Sequence, residues 1–467
     1  MKLKDVYRYT GALYAANLFA SGITFLVMIW LSREISKEAL GAYGLFQAYF
    51  MLGAYATGLG VNQTLVKYVA ERQVPLAEIH SFLATLIAGM SVLFIAAGAA
   101  LIHFGQQLLG LAVLMLPAYH IFDFSLSYVR GHWWKRAEAG ILLASSLMTS
   151  IFIVVLTPSF SDFHGPIYGQ IASFYTLAAV LLAVFLYRLR GEARFAAIRG
   201  NWLRAFSLTA APLFVTSALY SLSEVVDRFI IEHFLGLAVL AEYFIAMAFF
   251  QILDKPSGLL ARVLLSYFSG TTATKDAGLH MHNVQRLIQF NTLLFPLFSL
   301  AVISILPPVL AQFFNKDYSQ AFDLFAIVSV VMVIKAFEVV NSMLAIAKDS
   351  PRTNMYSQMV SLAIYIPGAI VLLKTFGVIG VAAGIVVRWI IFSLYQFWHM
   401  KGSAVATVSA SMFWRALLAY CAALAFFPYA PWAMIPVYLA VGMALRLWEP
   451  RELWRQVAGL RQGLSRA

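Results

Sequence analysis

The stretch Ser217–Arg228 places polar side chains at helical spacing inside an apolar run. Ser217, Tyr220, Ser221, Glu224 and Arg228 fall at i, i+3, i+4, i+7 and i+11, so they share one face, with Asp227 at its edge. Leu219, Leu222, Val225, Val226, Phe229 and Ile230 cover the other faces. Glu224 and Arg228, four residues apart, can pair. An ionisable side chain at the centre of a bilayer costs at least ~2.5–3.5 kcal/mol, so it turns toward a partner or a wet cavity. The face reads as the wall of a polar compartment inside a membrane protein.

Other charges interrupt apolar runs at Asp123, Asp254, Lys255, Lys335, Glu338 and Arg388. Lys335 and Glu338, three residues apart, can also pair. Arg388 has no acid nearby in its own helix and needs an anion from another helix or from a substrate. Guanidinium matches phosphate oxygens two at a time, so a diphosphate is a fitting guest. The carboxylates Asp123, Glu224, Asp227 and Glu338 are candidates to carry a coupling cation, H+ or Na+. Structural ion pairs that pin helices together are the alternative for each pair. His280-Met-His282 is too small a set for a metal site, and no G-x-x-x-x-G-K-[ST] occurs, so neither a metal nor an ATP-driven cofactor site is expected.

The elements that must hold these residues are membrane helices. The chain has 467 residues, 61% hydrophobic and 12% charged, and its one cysteine, Cys421, excludes an internal disulfide. About fourteen apolar stretches are long enough to span. They run 10–31, 39–62, 81–104, 108–129, 139–157, 166–187, 205–232, 237–261, 287–310, 322–347, 355–374, 377–398, 412–428 and 431–448. The first is expected to stay as a span, with no cleavable signal. Pro117, Pro212, Pro256, Pro296 and Pro367 are expected to interrupt several of them.

The net charge of +12 is a topology signal with no nucleic-acid partner behind it. With the N-terminus inside, Lys and Arg concentrate on the cytoplasmic side, including the tail residues Arg451, Arg455, Arg461 and Arg466. Only Arg33, Lys37, Lys316 and Lys374 fall outside, and Arg228, Lys255, Lys335 and Arg388 fall within spans. By span direction Arg228 lies toward the outer side, Lys335 and Arg388 near the middle, and Lys255 toward the inner side. Together they form a candidate cationic ladder.

Internal similarity points to a parallel repeat. Glu38-Ala-Leu-Gly-Ala-Tyr43 resembles Ala238-Val-Leu-Ala-Glu-Tyr243, and Gly165-Pro-Ile167 resembles Gly377-Val-Ile379. The expected organisation is an N-lobe of six spans over 1–187, a basic cytoplasmic linker over 188–204 and a C-lobe of six spans over 205–400. Two further spans and a basic tail occupy 401–467. The linker carries Phe195, Ile198 and Trp202 on one helical face, which suits the inner membrane surface, with a solvated linker as the alternative.

Trp30-Leu-Ser-Arg33, Leu40-Gly-Ala-Tyr-Gly44, Gly58-Leu-Gly60 and Leu65-Val-Lys-Tyr-Val-Ala70 resemble the opening of the polysaccharide-transport flippases. These are the Wzx-type members of the MOP (multidrug/oligosaccharidyl-lipid/polysaccharide) superfamily. Asp227-Arg-Phe-Ile-Ile, Leu240-Ala-Glu-Tyr243 and Gly377-Val-Ile-Gly380 resemble their second lobe. The resemblance implies an all-α polytopic fold, two six-helix lobes about a central cavity plus two C-terminal helices, alternating between inward- and outward-facing states. It implies an undecaprenyl-diphosphate-linked oligosaccharide carried to the outer leaflet of a bacterial or archaeal cytoplasmic membrane. The cationic role of that family's cavity carries over to Arg228, Lys255, Lys335 and Arg388. The N-lobe supplies no cation of its own at mid-span, and its polar candidates are Asn17, Gln47, Asn62, Gln63 and Asp123. With Ser217, Tyr220 and Ser221 these line the expected cavity. The glycan and membrane lipid are the expected partners, with a polysaccharide polymerase and a chain-length regulator as further candidates.

Three rivals have different signatures. A flippase for a peptidoglycan precursor or teichoic acid would share the diphosphate and is barely separable by sequence. A drug/cation antiporter of the same fold usually has twelve spans and favours acids in its cavity. A membrane glycosyltransferase or polymerase needs a sizeable external loop, and the short loops here argue against an enzyme. If the buried carboxylates couple transport to an ion, Glu224→Gln and Glu338→Gln slow substrate translocation in proteoliposomes, as does dissipating the gradients. A rate indifferent to both treatments removes the coupling role.

Overall fold

The computed structural model describes residues 3–71, 74–132, 134–160, 162–188, 200–271, 277–314, 318–347, 351–399 and 404–448. Those residues are predominantly helical, and no strand occurs among them. A chain this apolar must satisfy its backbone hydrogen bonds within each segment, which a helix does. It is an all-α polytopic membrane protein. The linker residues 189–199 and the tail residues 449–467 lie outside the described residues, as do the side chains of His280 and His282.

Two compact units divide the chain at Ile245/Ala246. The first contains α1 (Leu3–Glu34), α2 (Lys37–Thr57), α3 (Val61–Glu71) and α4 (Leu76–His103). It continues with α5 (Gln107–Gly131), α6 (Lys135–Leu156), α7 (His164–Arg188), α8 (Gly200–Leu235) and the first turns of α9 (Leu237–Thr271). The second holds the rest of α9, then α10 (Ala277–Ala311), α11 (Ser319–Val328), α12 (Val331–Ala347) and α13 (Pro351–Phe376). It ends with α14 (Val378–His399), α15 (Ala404–Leu424) and α16 (Met434–Ala444).

Each expected span coincides with a helix or a helix pair, and among the described residues 10 helices are long and apolar enough to cross a membrane. Three details differ from the sequence reading. The second span stops at Thr57, because Leu59 and Gly60 take positive φ values of 50 and 67 and turn the chain into the separate α3. The tenth span is two helices, α11 and α12, parted at Ser329 and Val330. Pro117, Pro212, Pro256, Pro296 and Pro367 all lie inside helices that run through them unbroken. One missing N–H is readily absorbed where neighbours re-satisfy the freed carbonyl.

The first unit is held by two kinds of contact. Phe122, Leu126, Leu177 and Leu181 form an apolar core between α5 and α7, joined by Tyr119, Phe174, Ile141 and Met148. Against α2 and α3, by contrast, α8 and the start of α9 pack through glycines. A Cβ on Gly41 would collide with the Leu237 carbonyl, and one on Gly44 would lie 2.9 Å from the Phe244 ring. Gly60 faces the Ala210 carbonyl just as closely. Small residues let membrane helices approach backbone to backbone, where dispersion does the holding. This packing joins α8 and the start of α9 to α2 and α3 within the first unit.

Burial along α8 changes halfway. From Ser221 to Ile231 every residue is buried except Leu222, Glu224 and Phe229, whereas Tyr220 is 43% exposed and Ser217 half-buried. In the second unit α12 is buried all round: from Val331 to Ala345 only Glu338 and Met343 are incompletely covered. A helix apolar on every side belongs at the centre of a bundle. The Tyr420 hydroxyl closes the break before it, bonding Ser299 at 2.7 Å and Ser329 at 3.0 Å.

Gly60→Ala combines a left-handed backbone, costing roughly 1–2 kcal/mol for a side chain, with the clash at Ala210. It is expected to lower the midpoint of thermal unfolding in detergent, while Gly105→Ala, whose added Cβ meets nothing within 4 Å, carries the backbone cost alone. Equal loss at the two positions would contradict the close approach of α3 to α8.

Candidate functional site

Two polar centres emerge, one in each unit. In the first, Arg228 is 2% exposed, its Nη1 donates to the Gly44 carbonyl at 3.3 Å, and its guanidinium lies 5.2 Å from the centre of the Phe244 ring. Its Nε is buried with no hydrogen-bond partner. The pairing of Glu224 with Arg228 that the spacing allows is not formed, because the guanidinium turns to α2 and α9. Asp227, also 2% exposed, instead accepts the Tyr243 hydroxyl and the Arg228 backbone N–H.

Deeper in the same unit, Asn62 donates to Asp123, joining α3 to α5. Asp123 and Glu224 both lie within electrostatic reach of the Tyr55 hydroxyl. Gln47 donates to Tyr43 at 2.8 Å and to Gln170, and Ser221 donates to the Met51 carbonyl at 3.2 Å. Asn17 is half-buried on α1. His120, which the sequence reading passed over, is buried with Nε2 2.8 Å from Thr57 Oγ1, whose hydroxyl donates to the Gly53 carbonyl at 2.6 Å. With its proton so committed, Thr57 receives from His120, which fixes the neutral imidazole as the Nε2–H tautomer.

The second centre surrounds α12. Lys335 Nζ reaches Asp254 of α9 at 3.3 Å and stands 4.1 Å from the centre of the Trp389 ring. Arg388 is 5% exposed, with its guanidinium 5.4 Å from both the Tyr365 and the Trp389 rings. Cation–π attraction of this kind strengthens when the cation is desolvated. Lys335 thus donates to Asp254 on another helix, while Glu338 accepts the Ser342 hydroxyl at 2.7 Å. Ser342 in turn receives Gln396 at 2.8 Å, and Gln396 also donates to Asn354 at 2.9 Å, which ties α12 to α13 and α14.

Of the four cations marked by sequence, the structure brings Lys335 and Arg388 together around Trp389, and places Arg228 with the first unit. That unit thus holds one buried cation on α8. Lys255 is exposed and makes no ion pair among the described residues. Sequence reasoning missed Trp389, Tyr365, Phe244 and the Gly44 carbonyl as partners. The adjacency of Arg388 and Trp389 was the one available hint. Among the described residues no group of three or more potential metal ligands occurs.

Comparison with known proteins gives the arrangement a context. No curated protein sequence is significantly similar to the chain. The lipid II flippase MurJ in an inward closed conformation has a similar structure, with a TM-score of 0.69 at 17% identity over 93% of this chain and 98% of that one. An inward-facing multidrug resistance MATE family transporter of the MOP superfamily aligns with a TM-score of 0.62 at 16% identity, covering 84% and 95% of the two chains. The MATE multidrug transporter DinF-BH aligns with a TM-score of 0.62 at 14% identity, covering 87% and 97%. At such identities the likeness is one of fold. The family model "Polysaccharide biosynthesis protein" matches residues 6–272, more than half of the sequence. The chain belongs to the polysaccharide biosynthesis protein family, on the transporter fold that MurJ and the MATE proteins share.

Proposed function

We propose that the protein is a flippase that carries an undecaprenyl-diphosphate-linked oligosaccharide from the inner to the outer leaflet of the cytoplasmic membrane by alternating access. The observation that carries this reading is the state of the buried cations. Arg228 and Arg388 are almost wholly out of water, yet each lies against aromatic rings, and the Arg228 guanidinium has a single hydrogen bond among the described residues, to a carbonyl. A desolvated guanidinium recovers its solvation most fully from phosphate oxygens. Lys335, partly neutralised by Asp254, adds a third charge beside the buried Trp389 ring.

Asp123, Glu224, Asp227 and Glu338 carry the coupling cation in this reading, and both termini are cytoplasmic. The partners are the glycan carrier and surrounding lipid, with a polymerase and a chain-length regulator downstream. A lipid-linked peptidoglycan precursor is the second reading, supported by the MurJ-like fold. It presents the same diphosphate and differs only in its sugars.

Binding of undecaprenyl diphosphate to the purified protein, followed by native mass spectrometry, tests the headgroup assignment. Charge-assisted hydrogen bonds contribute about 1.5–3 kcal/mol each. Arg388→Gln and Lys335→Gln are therefore expected to weaken binding about tenfold or more, and Lys255→Gln to leave it within about twofold. Undecaprenyl monophosphate should bind more weakly than the diphosphate. Equal affinity for the two lipids, unmoved by either substitution, would overturn the assignment.

A further inference from the structure

We infer that Lys37 and Glu242 form an ion-pair latch at the rim of a glycine-lined seam, and that this latch must release before Arg228 can be reached from outside. The charge asymmetry that places Lys37 beyond the outer surface sets which side is outside. All the residues involved belong to the first unit.

The seam is built in layers. At the rim, Lys37 Nζ meets Glu242 Oε1 at 2.9 Å, with the side chains 26% and 14% exposed. Ser36 caps α2 by accepting the Ala39 N–H at 3.0 Å, which fixes Lys37 in the first helical turn. One turn further in, Gly41 lies against the Leu237 carbonyl, and beyond it Gly44 lies against Phe244. Arg228 sits at that level, bonded to the Gly44 carbonyl. Below it Ser221 meets the Met51 carbonyl, and there the burial of α8 ends at the exposed Tyr220.

Backbone-to-backbone contact of this kind has no graded intermediate. Withdrawing one helix by a fraction of an ångström forfeits much of the dispersion energy of every layer, so the seam behaves as closed or open. The glycine layers are apolar and short-ranged. The rim pair is the seam's long-ranged element, drawing α2 and α9 together before the layers touch. Being partly solvated, it is also a weak fastener, which suits a contact that must break in every transport cycle.

Site-directed labelling tests the latch without any substrate, so its outcome is independent of the cargo. Cys421 is the single cysteine, so Cys421→Ser gives a blank background. Ser221→Cys, and as a second probe Ala48→Cys on α2, then report access to the buried side of the seam. A membrane-impermeant maleimide is added to intact cells and, separately, to inside-out vesicles. Lys37→Gln and Glu242→Gln are each expected to raise the labelling rate in cells about threefold or more, and the swap Lys37→Glu with Glu242→Lys to return it toward wild type. Unchanged rates in the single variants at both probes would overturn the latch. So would a swap that labels as fast as the singles, since loss of the pair would then not be the cause. A rise confined to inside-out vesicles would overturn the placement of the seam on the outer side.

Discussion

The surroundings of Arg228 depend on how closely α2 lies against α8 and the start of α9. Gly41 and Gly44 remove side chains that would hold α2 from α9, and Gly60 removes one that would hold the corner before α3 from α8. What the approach buries is not inert: it takes Asp227 and Arg228 out of water together. Isolated, either charge would be prohibitive in a low-dielectric setting. The structure divides the burden, with Tyr243 and a backbone N–H on the carboxylate, and a carbonyl and the face of Phe244 on the guanidinium. The acid is well satisfied and the base is not. That asymmetry leaves the first unit with a buried cation whose Nε has no hydrogen-bond partner.

The second unit reaches a related result by another route. Its central helix, α12, is covered on every side, so its charges must be met by neighbouring helices. Lys335 is met by Asp254 from α9 and by Trp389, while Glu338 is held at the end of a hydrogen-bonded chain through Ser342, Gln396 and Asn354. Lys335 and Glu338, three residues apart on one helix, interact electrostatically and each also reaches a further partner. Lys335 and Arg388 lie against the same indole ring, which attracts both cations.

The fold was legible in the sequence because the bilayer leaves so few alternatives. Apolar runs of sufficient length must be helices, and each expected span coincides with a helix or a helix pair. What the sequence concealed was local and three-dimensional. Gly58-Leu-Gly60 looked like the tail of a span, and only the positive φ values at Leu59 and Gly60 show it to be a corner. Pro367 looked like a break, but one missing N–H does not stop a packed helix. For the site, residue type and period found Arg228, Lys335 and Arg388, since a charge in an apolar run stands out. Their partners did not stand out. Asp254 lies 81 positions from Lys335, Gly44 contributes a backbone atom, and Phe244 and Tyr365 are ordinary aromatics in an aromatic-rich chain. Intrahelical spacing suggested Glu224 with Arg228, yet an acid and a base on one helix have no claim on each other when other helices press closer.

A protein that moves a lipid-linked glycan across the membrane decides which leaflet holds the glycan carrier. The most direct measurement removes the protein from its host and determines that leaflet. Lipid-linked glycan should accumulate on the inner leaflet while surface polysaccharide disappears, and the wild-type chain should restore both. Surface glycan that persists unchanged, with cells newly sensitive to cationic compounds, would contradict the account and assign the same fold to drug export.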